Sequence, residues 1–186
     1  MTKANLKGFD SENWKELRFD IDINVGPDIV GTLTDMSAVE TSSVDAIYSS
    51  HNIEHIYAHE VQTALSEFNR VLRPDGIAVV TCPDLQAVCA VVAQGRLLEP
   101  LYTSGIGPIS AIDILYGHRA SVAAGNPFMA HKGGFTFPVL SDAFIRAGFK
   151  GTFGGRRPSA YDLWLVAFKA AMSEEEMRGV ATTYLP

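Results

Sequence analysis

The stretch "SVDAIYSSHNIEHIYAHEVQTALSEFNRVLRPDGIAVVTCPDL", residues 43–85, decides how the rest of the chain is read. It opens with "SVDAIYSS", a β-branched and aromatic run with no helical stripe, which reads as a buried strand. In "HEVQTALSEFNRVL", Val61, Ala64, Leu65, Phe68, Val71 and Leu72 fall on one helical face, while Glu60, Glu67 and Arg70 fall off it. An amphipathic helix therefore follows the strand. "RPDG" ends it in a turn, and "IAVVTCP" runs on as an apolar strand to Pro83. Strand, helix, tight turn and strand make a βαβ unit, so a mainly parallel sheet covered by helices is expected.

Inside this stretch His51, Glu54 and His55 spell H-x-x-E-H, the inverted zinc-peptidase signature. Two zinc-binding histidines at that spacing need one continuous helix through both. His51 directly follows the strand pattern, so the three residues do not share a helical face. No metal is expected here, and Glu54 and His55 read as bonding to backbone and to each other near a helix start. His59 extends the histidine spacing, but Tyr57 and Ala58 belong to the approach to the Glu60 helix.

Working outward, residues 1–14 are polar and aperiodic and read as a loose lead-in. "ELRFDID" alternates Leu17, Phe19 and Ile21 with charged residues, as a short strand does, and stops at "NVGPD". "DIVG" is a second apolar piece. Downstream, "DLQAVCAVVAQG" reads as a helix opened by Asp84 and closed by Gly95. Residues 96–134 are rich in Gly, Pro, Tyr and His, with one apolar turn at "AIDILYG"; a connection that long reads as a lid or substrate loop. "TFPVLSDAFIRAGF" returns to helical spacing between Thr136 and Gly148. Two strands follow, around 150–156 and at "YDLWLVAFK", with Arg156, Arg157 and Pro158 in a solvated turn between them. "SEEEMRGVA" is an acid-first short helix. No repeat or second domain is visible, so residues 1–186 read as one domain.

The chain has 186 residues, 47% of them hydrophobic and 19% charged, enough for a full core. Its formal charge is −6 with the cations scattered, which leaves no footprint for a phosphate backbone and excludes nucleic acid as a partner. The apolar runs fall short of the about 20 residues a membrane span needs. Cys82 and Cys89 read as buried, reduced, small apolar residues, and with no apolar leader the expected location is the cytoplasm.

The 43–85 stretch resembles the central and C-terminal motifs of the class I S-adenosylmethionine-dependent methyltransferases. The shared features are a strand of form D-x-[IV]-x-[SA], an E-H helix start, "RVLRPDG", and a strand ending in Pro. "HKGGFT", residues 131–136, resembles the opening of that family's penultimate helix, and the likeness runs through "AGF" to the last strand pair, covering about residues 15–170. In this family the H-x-x-E-H string is an ordinary product of a strand running into its helix. The resemblance implies an α/β, Rossmann-like sheet of strand order 3-2-1-4-5-7-6, mostly parallel with an antiparallel C-terminal strand. It implies S-adenosylmethionine as cofactor and methyl transfer to a small-molecule or saccharide-like acceptor. The family's opening strand and Gly-rich cofactor turn have no counterpart, since before Lys15 there is only Gly8. "ELRFDID" then matches the second strand, and the fold is truncated at its N-terminus. The gap is filled by the second and fourth strands closing up, or by a strand from another copy, which makes a homodimer. A non-catalytic remnant acting as a binding or assembly module is the alternative function.

By the same resemblance Asp20 accepts hydrogen bonds from the cofactor ribose, with Asp22 the competing acid. Thr34 and Asp35, in "TLTDM", meet the adenine edge. Ser49, Ser50 and His51 end the fourth strand beside the methionine and the substrate. His51 is the candidate base, and Tyr116, His118 and His131, with Tyr102, are candidates for the substrate pocket.

Overall fold

The computed structural model describes residues 3–157 and 159–186. A parallel ribbon comes first, made of β1 (Phe19–Asp20) and β2 (Ile29–Val30). The βαβ unit follows as β3 (Val44–Ser50), α1 (Val61–Val71) and β4 (Leu72–Pro83), and α2 (Leu85–Ala93) leaves the sheet. The hairpin β5 (Pro100–Ser104) and β6 (Gly107–Ser110) leads into two short helices, α3 (Ala111–Tyr116) and α4 (Arg119–Ala123). The chain ends with α5 (Phe137–Arg146), β7 (Gly151–Arg157), β8 (Asp162–Phe168) and α6 (Glu174–Tyr184).

The main sheet has the order β3-β4-β8-β7. β3 and β4 are parallel, and β8 is antiparallel to both β4 and β7, so three strands run one way and β8 the other. The α/β fold is therefore mostly parallel with an antiparallel last strand. Val44 pairs with Leu72 but Ala46 with Ile77, so "RPDG" leaves the ladder as an outward loop within β4.

Both faces of the sheet are covered. On one, α1 buries Val61, Ala64, Leu65, Phe68 and Val71, and α5 adds Leu140, Ala143 and Phe144. These pack with Val80 and Leu165 from the strands, the one-sided burial that the helical spacing requires. On the other, Val79, Val166 and Phe168 pack with Ala181 of α6 and with Phe9. Phe9 also stacks edge-on with Trp14 at 5.1 Å. Residues 3–14 are thus not a loose lead-in: an aromatic residue in a polar stretch finds apolar sheet surface to cover. Met1 and Thr2 lie outside the described residues.

Other expectations need correction. β3 is the outer strand of its sheet, and of its residues only Ser49 is fully buried, because no strand covers its other edge. "ELRFDID" keeps two residues as strand, with Leu17 and Ile21 exposed. Cys82 is buried but Cys89 is exposed on α2. Arg156 and Arg157 do not form a solvated turn; they end β7 and pair with the buried carboxylates of Asp84 and Asp162. A buried carboxylate requires such a partner. Pro158 lies outside the described residues. Residues 96–134 carry regular structure of their own, since Val88 and Val91 of α2 pack with Ile109, Ala111 and Ile114. No helix among the described residues is long and apolar enough to cross a membrane.

The ribbon and the main sheet do not close up. A groove of about 590 Å³ separates β1 from β3, bordered by Leu17, Phe19 and Asp20 on one side and Ala46, Tyr48 and Ser50 on the other. Phe9 and Trp14 also line it.

Candidate functional site

At the end of β3 the chain turns off the sheet through His51, whose φ of 53° lies in the left-handed region. Its backbone N–H still bonds to the Thr81 carbonyl at 2.9 Å, so the turn begins at the sheet edge. The single 3-10 turn Ile53–His55 then buries Glu54 completely. His51 Nδ1 lies 3.2 Å from Glu54 Oε1. Burial disfavours charge on the imidazole, but the hydrogen bond and charge of Glu54 outweigh it and raise the His51 pKa. The Glu54 backbone carbonyl accepts from Lys132 N at 2.8 Å and Gly133 N at 3.0 Å, joining the end of the long segment to the strand tip. His55 Nδ1 meets the Ala130 carbonyl at 3.0 Å, so it bonds to backbone but not to Glu54. His131 Nδ1 meets the Ile114 carbonyl at 2.7 Å, and burial lowers its pKa against the pull of Glu54.

A cavity of about 340 Å³ opens in front of this turn. Asp20, Asp22, Thr34 and His51 all line it, with Ile21 and Leu33 as apolar wall. The two acids differ in what they have left to offer. Asp22 Oδ1 is already taken by Asn24 N at 2.9 Å and Nδ2 at 2.8 Å, where it caps the turn Ile23–Val25. Among the described residues Asp20 accepts one bond, from Asp22 N to Oδ1 at 2.8 Å. It also borders both the cavity and the groove, as Asn52 does. Between the competing carboxylates the geometry favours Asp20.

The remaining candidates scatter. Thr34 Oγ1 bonds to Thr32 Oγ1 at 2.9 Å, and Ser50 lines the groove. Ser49 is buried and accepts from Asn52 Nδ2 at 3.3 Å. Asp35 does not line the cavity; it accepts from Ser37 N at 3.0 Å, and the Ser37 side-chain and backbone hydrogen bonds hold its carboxyl below the ordinary range. Tyr116 ends α3 in solvent, and His118 serves α4 by accepting from Ser121 N, so neither reaches the cavity. His131 lies against His55, not on the cavity wall. Sequence reading missed Asn126, Phe128, Met129 and Lys132, which the long segment contributes to the wall. Only their place just before and within "HKGGFT" hints at this.

Gly117 fixes how that segment returns. Its φ is 93°, it bridges to Ala130, and a Cβ there would stand 1.9 Å from the Met129 carbonyl oxygen. Gly117→Ala is expected to cost at least about 1 kcal/mol and to loosen residues 126–132. Thermal unfolding with limited proteolysis reads both effects; parent-like melting and cleavage would refute the close approach.

The model of the methyltransferase domain family matches residues 9–80, from Phe9 through the ribbon, β3, α1 and most of β4. Over these residues, fewer than half of the chain, it is similar to methyltransferase domains. No curated protein matches it. Among solved structures, an O-methyltransferase family protein from Burkholderia thailandensis is 10% identical, with a TM-score of 0.48 over 78% of this chain and 36% of that one. A SAM-dependent methyltransferase from Thermotoga maritima is 13% identical, with a TM-score of 0.48 over 84% of each chain. The chain spans between 35% and 43% of the length of three of the similar structures.

Proposed function

We propose that the chain binds S-adenosylmethionine across the cavity and the adjoining groove and transfers its methyl group to a small-molecule or saccharide-like acceptor. The observation that carries this reading is Asp20, a carboxylate at the end of a parallel strand, bordering both spaces. Open α/β sheets take ligands at such strand ends. The residues present fit the nucleoside half of the cofactor. Asp20 has acceptor capacity for a vicinal diol, Ile21 and Leu33 offer apolar surface to a base, and about 340 Å³ lies within the usual range for small-molecule sites. Ser50 and Asn52, which line the groove, would hold the methionine half.

Bound there, the cofactor supplies a methyl group activated on a sulfonium, whose transfer depends mainly on alignment. His51 donates its Nδ1 proton to Glu54, which leaves Nε2 to accept a proton from an attacking oxygen or nitrogen. Phe128 and Lys132, from the long segment, narrow the acceptor side. Calorimetry of the full chain with S-adenosylmethionine and S-adenosylhomocysteine tests the reading. One site for each is expected, and the absence of heat at millimolar ligand would retire it.

The groove favours a second reading, a non-catalytic module of the same fold. Between two separated strands it offers a berth for an extended segment, and a second copy of the chain is the occupant in a homodimer. A dimer by light scattering together with no cofactor heat would favour this reading over the first.

A further inference from the structure

The H-x-x-E-H string does not form a helical zinc site, yet two of its residues meet a third histidine from far downstream. One ligand atom from each of Glu54, His55 and His131 lies within 4.8 Å of the others. The two histidine rings stand edge to face at 4.7 Å between centroids. Both use Nδ1 on a backbone carbonyl, His55 on Ala130 and His131 on Ile114. A carbonyl only accepts, so each Nδ1 carries its proton and each neutral ring keeps Nε2 as the lone pair it can offer a metal. Metal-binding histidines are held by the same outer hydrogen bond. Glu54 is fully buried, and its Oε2 has no hydrogen-bond partner among the described residues. With Glu54 ionised, three groups that each have a lone pair to offer thus lie together, an arrangement that a cation would stabilise.

We propose that Glu54 Oε2, His55 and His131 form a binding site for one divalent transition-metal ion of the zinc class. Two imidazoles and a carboxylate suit a borderline ion, whereas Mg²⁺ and Ca²⁺ favour oxygen ligands. Metal–ligand bonds of about 2.0–2.2 Å place neighbouring ligands about 3.3 Å apart, so the side chains close by roughly 1 to 1.5 Å on binding. The ion ties the turn after β3 to the end of the 96–134 segment. Glu54 Oε1 keeps His51 while Oε2 binds the metal, so His51 is an outer partner and not a ligand. The site stands whether or not the cavity takes S-adenosylmethionine.

The test uses the full chain, stripped with a chelator and titrated with Zn²⁺ by calorimetry and with Co²⁺ by visible absorption. One ion per chain is expected, with the intense absorption of four-coordinate Co²⁺. His131→Ala should weaken binding by at least the 10–100-fold that loss of an outer partner alone produces. Glu54→Gln should do the same, and His59→Ala, at an exposed histidine outside the cluster, should change nothing. If Glu54→Gln does not fold, His131→Ala carries the result. No one-to-one binding, or binding that His131→Ala leaves unchanged, overturns the site. So does nuclear magnetic resonance showing an Nε2 proton on His131 with and without Zn²⁺, because a proton would then be the cation that fills the group.

Discussion

Phe144→Ala is expected to lower stability by about 3–5 kcal/mol, the usual loss when a fully buried aromatic residue is truncated in a core. Phe144 lies wholly inside, on the face where α5 and α1 cover the sheet. Its ring stands edge to face with Phe149 at 5.1 Å, a contact no smaller side chain rebuilds. The cavity left behind would open where α5 packs on α1, β7 and β8. A domain of this size has about 5–15 kcal/mol to lose, so a melting temperature lower by roughly 10 °C is expected. A shift below about 2 °C in a scanning calorimeter would mean that α5 does not pack on the sheet as described. Because α5 follows directly on residues 131–136, the same variant is expected to loosen the turn holding His131.

The middle of the fold was legible because its burial is one-sided. Leu65 and Phe68 recur at helical spacing and are buried against the sheet, and "IAVVTCP" is apolar throughout because β4 has a strand on each side and helices on both faces. The same logic misjudged β3, whose composition resembles that of an inner strand although no strand covers its outer edge. The hairpin β5–β6 was missed for a different reason. Pro100, Gly105, Gly107 and Pro108 are loop signals, but the same residue types also make a tight turn and a hairpin edge. Composition alone does not separate the two.

The site was legible where it hangs on strand ends. Asp20 and His51 share a cavity because β1 and β3 each stop there, and that is a property of local sequence. What the long segment contributes was not legible, since Phe128 and Lys132 reach the wall through the backbone bonds that Lys132 and Gly133 make to Glu54. The meeting of Glu54 and His55 with His131 is likewise tertiary. Spacing along one helix gives no metal site, and the ligand set we propose omits His51 and draws on a residue no spacing rule would pair with it.

Asp20→Ala is expected to weaken S-adenosylhomocysteine binding by about 100-fold, the largest loss among substitutions on the cavity wall. Hydrogen bonds to a charged group contribute about 1.5–3 kcal/mol each, and two donated by one diol do not add fully. Each 1.4 kcal/mol is a factor of ten, so about 100-fold corresponds to roughly 2.7 kcal/mol. Asp20→Asn keeps the shape and one carbonyl acceptor, and an intermediate loss is expected. Asp22 is the internal control. Its Oδ1 is committed to Asn24, so Asp22→Ala should disturb the turn Ile23–Val25 and weaken the ligand by less than the roughly tenfold that a single lost charged hydrogen bond brings. Asp20 is only partly buried, and its one described bond is to the next turn, so melting should stay near that of the parent. Calorimetric titration of the three variants beside the parent decides the matter. An Asp20→Ala protein that binds as tightly as the parent, or an Asp22→Ala protein that loses more, would move the ribose contact away from Asp20 and remove the main support for the methyltransferase reading of this cavity.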